Sequence, residues 1–302
     1  MLPDPLDLRL VRNPEIIRLG EIVRAIRGVA PDDALLLIGA QARNLLLGWQ
    51  LGLQPGRATR DVDLAISVAD WAHFLGLLDR MLASGRFLAS ETLHRLRFEH
   101  AAGTIVDVVP FGGVEAEDRS IAWPPEYAIT MSAIGFQEAF GHSTIVALPG
   151  DVTVRVASLA ALAALKLFAW TERDYRLRSK DAVDLGLLLD NYDRAIGMDQ
   201  LYEVPDTVLE ETGGDNALMA AWRLGQDMAA VLASGGRKDP AARPVTLPVD
   251  RLSALLRREA DPGGPTLLAA DMGSARLARN LEQLQWLLRG LEGEPRGHAA
   301  TT

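Results

Sequence analysis

Two aspartates stand one residue apart in residues 57–66, "RATRDVDLAI", among Val62, Leu64 and Ile66, which read as a buried strand. Alternate residues of an extended chain share a face, so Asp61 and Asp63 project together while the three apolar side chains point into a core. Like charges so close repel and raise one another's pKa unless a cation holds them, and paired oxygen donors suit the hard ion Mg²⁺. The plain alternative is an edge strand with a solvated acidic face, because D-x-D is a common string. A third carboxylate, Asp107, sits inside the apolar run "TIVDVVPF". There an ionised side chain is costly unless it is paired or on a metal. Its alternative is the outer face of a half-exposed strand, shared with Ile105 and Val109.

Upstream, "LLLIGAQARNLLLG" closes a strand at Gly39 and opens a helix almost at once. Such a junction offers free backbone N–H groups to an anion, and glycine lets a phosphate approach, although a glycine closing a strand is commonly only a turn. Downstream, Lys166 is the only charge between Arg155 and Glu172. An unpaired ammonium in that apolar helix is expensive, so Lys166 needs a partner. Arg173 falls on nearly the same helix face, and the two could meet one phosphate chain. Equally, Lys166 could snorkel to solvent or pair with Asp181 or Asp184 of the next helix. "RDYRLRSK" (173–180) is a basic cluster, either a solvated loop or a contact for an RNA phosphate. His94, Arg95 and Arg97 precede the Asp107 strand, with Arg95 and Arg97 on one face and His94 on the other; alternation alone does not say which side meets Asp107.

The elements that must position these groups are readable in outline. Residues 14–29 have helical apolar spacing, 32–40 form a short apolar strand, and a helix is expected from Gln41. Further strands are expected over 60–68, 94–100 and 104–111, the last two joined by Ala101, Ala102 and Gly103, with a helix over 70–84 between the first two. From about Ala157 the chain turns to Ala/Leu-rich helical runs at 157–173, 179–192 and 274–291. Residues 233–244 and 261–266 read as loops and the tail after Glu292 as frayed. The expected organisation is an α/β (α+β) domain over 1–155 with a mixed sheet, followed by a mainly helical domain over 156–302.

Composition narrows the class. With 302 residues, 48% of them hydrophobic, the chain can bury a substantial core. It has no cysteine, which excludes disulfides and thiolate metal sites. No signal peptide or membrane span is expected, and a cytoplasmic location fits. The formal charge of −9 argues against broad affinity for nucleic acid but leaves room for a local basic surface. The five histidines lack metal-ligand spacing, and neither G-x-S-x-G nor a Walker-type loop occurs. Trp123 reads as a core or loop anchor.

The order strand, Gly, helix, then T-x-D-x-D over 59–63, then a single Asp on a later strand resembles the DNA polymerase β-like nucleotidyltransferase superfamily. In more detail, "IGAQARNLLL", "RATRDVDLAI", "VDVVPFGG" and the helical Lys, Arg, Lys-Asp pattern are similar to the AbiEii/AbiGii-type toxin nucleotidyltransferases, over residues 35–192. The resemblance implies that Asp61, Asp63 and Asp107 bind Mg²⁺, with Mn²⁺ as its substitute, and that Asp107 helps to activate an acceptor hydroxyl. It places Gly39, Ala40, Arg43, Thr59, Arg173 and Lys180 at the nucleotide, Lys166 against the leaving pyrophosphate, and Asp181 beside Lys166 as its positioner, with Asp184 one turn later. Many members carry Gly-Ser or Gly-Gly at the phosphate turn; here Ala40 and Gln41 follow Gly39.

The implied activity is transfer of a nucleoside monophosphate from an NTP, bound between the two domains, to a hydroxyl of tRNA or protein, by two-metal phosphoryl chemistry. A cognate antitoxin is the implied partner. Two other readings stand beside it: a small-molecule, antibiotic-type nucleotidyltransferase, which the acidic charge favours, and a nucleotide-binding or interaction module without turnover, motivated by Ala40 and Gln41.

Overall fold

The computed structural model describes residues 6–30, 34–53, 61–98, 103–233 and 248–293. Two compact units divide the chain, Met1–Ser158 and Leu159–Thr302.

In the first unit, Asn13 caps the opening helix: its Oδ1 accepts from the N–H of Glu15 at 2.8 Å and of Ile16, and Pro14 takes the first turn, where no N–H is needed. This helix, α1, spans Pro14–Val29. Then come β1 (Ala34–Ile38), α2 (Gly39–Asn44), a π-helical stretch (Leu45–Gln50), β2 (Val62–Val68), α3 (Trp71–Ala83), β3 (Phe87–Ala89), β4 (Arg95–Phe98) and β5 (Thr104–Gly112). A small hairpin of β6 (Ser120–Ala122) and β7 (Thr130–Ser132), then α4 (Phe136–Gly141), β8 (Ser143–Leu148) and β9 (Val152–Ala157) complete the unit.

Seven strands form one sheet in the order β3-β4-β5-β2-β1-β9-β8. β2 and β5 run parallel, as do β1 and β9, while the remaining neighbours are antiparallel, so the sheet is mixed as expected. Its centre is the core: Leu35, Leu36 and Leu37 of β1 and Leu64, Ala65 and Ile66 of β2 are all buried. Each large aliphatic side chain removed from water there contributes about 2 kcal/mol. Such interior strands hold the polar residues of the neighbouring rows at fixed positions.

Two expectations need correction. The helix expected from Gln41 begins at Gly39, because Gly39 takes φ +68°, a left-handed value that turns the chain from strand straight into helix. The stretch after residue 111, for which the periodicity assigns no element before Ala157, supplies β6 to β9 and α4. Three-residue strands such as β6 are too short to carry a period, and β8 and β9 are joined by Pro149, Gly150 and Asp151, the last two at positive φ.

The second unit is helical, as expected: α5 (Leu159–Glu172), α6 (Ser179–Leu189), α7 (Tyr192–Leu201), α8 (Asp206–Thr212), α9 (Asn216–Ala233), α10 (Pro248–Glu259), α11 (Leu267–Gly273) and α12 (Leu277–Leu291). α9 and α12 touch backbone to backbone: a Cβ on Gly225 would lie 2.6 Å from Leu291 N and 2.9 Å from Gly290 C. Residues 261–266 form the expected connection between α10 and α11. Residues 234–247, the tail from 294, Ala101, Ala102 and Thr59 lie outside the described residues. Among the described residues no helix is long and apolar enough to cross a membrane.

Candidate active site

Register across the sheet brings two of the three aspartates, Asp63 and Asp107, into one row. Ile38 of β1 pairs with Asp63 of β2, Asp63 pairs with Asp107 of β5, and Asp107 pairs with Arg95 of β4. Adjacent strands lie about 4.8 Å apart, and side chains at paired positions emerge on the same face. The pleat separates this polar row from the core. Val62 and Leu64 flank Asp63, Val106 and Val108 flank Asp107, and all four apolar residues are buried while the two carboxylates are only partly so. Asp61, one residue before β2, is exposed.

Asp107 is held by Arg95. The guanidinium donates from Nε to Oδ1 and from Nη2 to Oδ2, both at 2.8 Å, a two-pronged contact of the strong, charge-assisted kind. Asp107 is 15% exposed and Arg95 45%. The hydrogen bonds and charge of Asp107 push the Arg95 pKa further above its usual value, and the charges of Asp61 and Asp63 add to the shift. All three carboxylates therefore act on one guanidinium. His94, beside it, stacks on Trp123 with ring centroids 4.8 Å apart, and burial lowers its pKa despite the opposing charge of Asp107. Trp123 also packs on Trp71 and Phe74, which makes it the anchor the sequence implies.

Gly39, the first residue of α2, meets the same row just beyond the end of β1. A Cβ there would collide with the Asp63 carboxylate, with Cγ at 2.8 Å and even the Asp63 Cβ at 3.0 Å. Glycine is thus required twice at position 39, once for its φ and once for the approach of Asp63. Ala40 follows, half-buried, at the start of α2. Arg43 is 3% exposed and donates from Nε and Nη2 to Asn44 Oδ1, which engages it inside the protein.

Among the described residues no three His, Cys, Asp or Glu side chains form a ready-made metal cage. The donors of the row nevertheless fit a hard divalent ion: all are carboxylate oxygens, two come from adjoining strands, and a cation, the Arg95 guanidinium, already rests on one of them.

In the helical unit Lys166 finds its partners. Nζ lies 3.0 Å from Asp181 Oδ1 and 2.6 Å from Asp184 Oδ2, while Arg173 Nε lies 3.2 Å from Asp181 Oδ2. Of the alternatives for Lys166, pairing with the next helix is the one formed. Lys180 is exposed at the start of α6. Arg178 lies over the Trp170 ring at 4.6 Å and shares Asp271 Oδ2 with the Trp170 indole, each at 2.9 Å. It lines a cavity of about 790 Å³ together with Thr171, Arg251, Arg258 and Glu259.

Arg95 is the one residue of the row to which the sequence assigns no role. The signal was present, because partners in an antiparallel pair keep a constant sum of residue numbers. Pairing Phe98 with Thr104 across the short link therefore places Arg95 opposite Asp107.

A comparison with curated proteins finds no match. A family model described as nucleotidyl transferase AbiEii toxin, type IV toxin–antitoxin system, matches residues 24–289. This span is longer than the 35–192 over which the motifs alone are legible, and it takes in residues of both units. With so much of its length covered by a single family model, the chain belongs to the AbiEii nucleotidyltransferase toxins of type IV toxin–antitoxin systems.

Proposed function

We propose that the protein moves a nucleoside monophosphate from an NTP to a hydroxyl of tRNA, using a divalent cation held by Asp61, Asp63 and Asp107. The observation that carries this reading is the pairing of Asp63 with Asp107 on adjoining parallel strands, beside a glycine that admits the Asp63 carboxylate. In the reaction the acceptor oxygen bonds to the α-phosphorus and the bond to the bridging oxygen breaks. Pyrophosphate leaves with that electron pair, and the hydroxyl proton passes to solvent water. When bound, Mg²⁺ or Mn²⁺ supplies charge stabilisation at the phosphoryl oxygens and acidifies the hydroxyl.

Asp107 orients the acceptor hydroxyl, and the turn at Gly39 and Ala40 lies against the triphosphate, with Arg43 supporting it. Arg178, Arg251 and Arg258 line one cavity of the helical unit together with Asp250 and Glu259, and this modest excess of positive charge supports a phosphate-rich acceptor, hence tRNA over a protein hydroxyl or a small antibiotic-like molecule. Membership of a type IV toxin–antitoxin family implies a cognate antitoxin.

The test is incubation with each labelled NTP and total tRNA. Wild type labels tRNA, and Asp61→Ala lowers the labelling at least a thousandfold, on the order of 4 kcal/mol of transition-state stabilisation. Equal labelling by the two proteins rejects the assigned site. Binding of an NTP with Mg²⁺ but no pyrophosphate release with any acceptor favours the reading without turnover, to which Ala40, lacking a hydroxyl at the phosphate turn, lends weight.

A further inference from the structure

Arg95 occupies both oxygens of Asp107, each at 2.8 Å, and a divalent ion ligated by that carboxylate would need at least one of them. The guanidinium is carried on a long side chain nearly half exposed, while Asp107 is only 15% exposed, so Arg95 can swing toward solvent provided another cation takes its place on the carboxylate. Asp61 and Asp63 also act on it, so the same guanidinium offsets the mutual repulsion of all three carboxylates. A fork of two N–H donors matches a phosphate as well as a carboxylate.

We propose that Arg95 is an exchangeable counter-cation: it closes Asp107 while no metal is bound, and yields that carboxylate to a divalent ion when the phosphates of a nucleotide offer the guanidinium another oxyanion. This rests on the metal-and-NTP reading above and extends it to the order of assembly. Metal alone binds weakly, nucleotide and metal favour one another, and Arg95 carries that coupling. Linkage makes the effect reciprocal, so the metal strengthens nucleotide binding by the same factor. Arg95 thus acts on the metal through Asp107 and on the nucleotide through its phosphates.

The experiment measures Mn²⁺ binding to the full chain by the electron paramagnetic resonance signal of free Mn²⁺. It is run without nucleotide and then with a non-hydrolysable ATP analogue, correcting for Mn²⁺ taken by the free analogue. Without nucleotide, Arg95→Met is expected to bind Mn²⁺ at least tenfold more tightly than wild type. Arg95→Lys, which keeps the charge but loses the fork, falls between them, and Asp107→Asn shows no gain. The enhancement given by the analogue shrinks in Arg95→Met by the factor gained without it. Thermal melts of each variant verify that the fold is kept, as the exposure of Arg95 leads one to expect. If Arg95→Met binds Mn²⁺ no better than wild type while Asp107→Asn binds it worse, the exchange is refuted and the metal site stands. If no variant and no condition gives Mn²⁺ binding, the metal reading fails and the exchange fails with it.

Discussion

In the sheet unit a carboxylate, Asp107, is held by an arginine that is nearly half exposed, whereas in the helical unit Asp181, at 1% exposure, is held by Lys166 at 16%. The chemistry of the two pairs is alike, and burial separates them. A pair at the surface is worth about 0–1 kcal/mol and exchanges partners readily. Breaking a buried pair by removing one member costs about 3–5 kcal/mol, because the survivor is stranded. The first cluster is therefore suited to taking a ligand, and the second to holding two helices, α5 and α6, in one arrangement. Lys166 is doubly tied, to Asp181 and Asp184, and Arg173 closes the other oxygen of Asp181.

The sharpest way to break this contrast is Lys166→Met. It removes the ion pairs of both Asp181 and Asp184 with Lys166, leaves the buried Asp181 to Arg173, and is expected to lower stability by about 3 kcal/mol in urea unfolding. A loss below about 0.5 kcal/mol would put Lys166 in the same exchangeable class as Arg95.

A smaller effect is expected in the sheet unit for Gly39→Ala. The left-handed φ alone costs about 1 kcal/mol for a residue with a Cβ, and displacing Asp63 adds to it, for a total of about 2 kcal/mol by the same measurement. Retention of wild-type stability would mean that Asp63 turns aside freely and that the row is not built around the glycine.

The smallest effects are pH slopes, of opposite placement in the two units. Burial, and then the charge of Asp227 accepting its hydroxyl at 2.6 Å, raise the Tyr192 pKa well above 10.0. A raised native pKa gives stability that is complete below the unfolded value and is lost as pH climbs through the native one. The helical unit should therefore weaken above about pH 10, and Tyr192→Phe should remove that slope. In the sheet unit burial lowers the His94 pKa from 6.5. The unfolded chain takes up a proton that the native state refuses, so stability is level above about pH 6.5 and falls as pH drops toward the native pKa. His94→Phe should flatten that limb. Thermal melts between pH 4 and 11 read both, and a slope that survives its substitution assigns it to another group.

Much of the site's framework was legible because it depends on short-range periodicity. The alternation of Asp61 and Asp63 with Val62, Leu64 and Ile66 is a property of any half-buried strand, and Gly39 between an apolar run and a helix is a local signal. What lay beyond reach was pairing at a distance. The approach of Gly39 to Asp63 follows from the antiparallel register of β1 with β2, whereas the choice of Arg95 over His94 for Asp107 could have been read from the short link between β4 and β5. Likewise, one helix could show that Lys166 needs company, but only the packing of α5 on α6 decides among Asp181, Asp184 and solvent. The membership of β8 and β9 in the main sheet comes from the parallel contact of β9 with β1, far off in the chain.

The strand that carries Asp63 also carries the centre of the core, and direction reverses with each residue along it. Sliding the pairing of Val62–Val68 by one residue would turn Leu64 and Ile66 to the face that Asp63 now occupies in the same event that turns the aspartate toward the core. Chemistry and folding are thus guarded by one constraint. A relative that has lost its activity is expected to have done so by replacing a carboxylate outright, and to keep an outline indistinguishable from that of a working toxin.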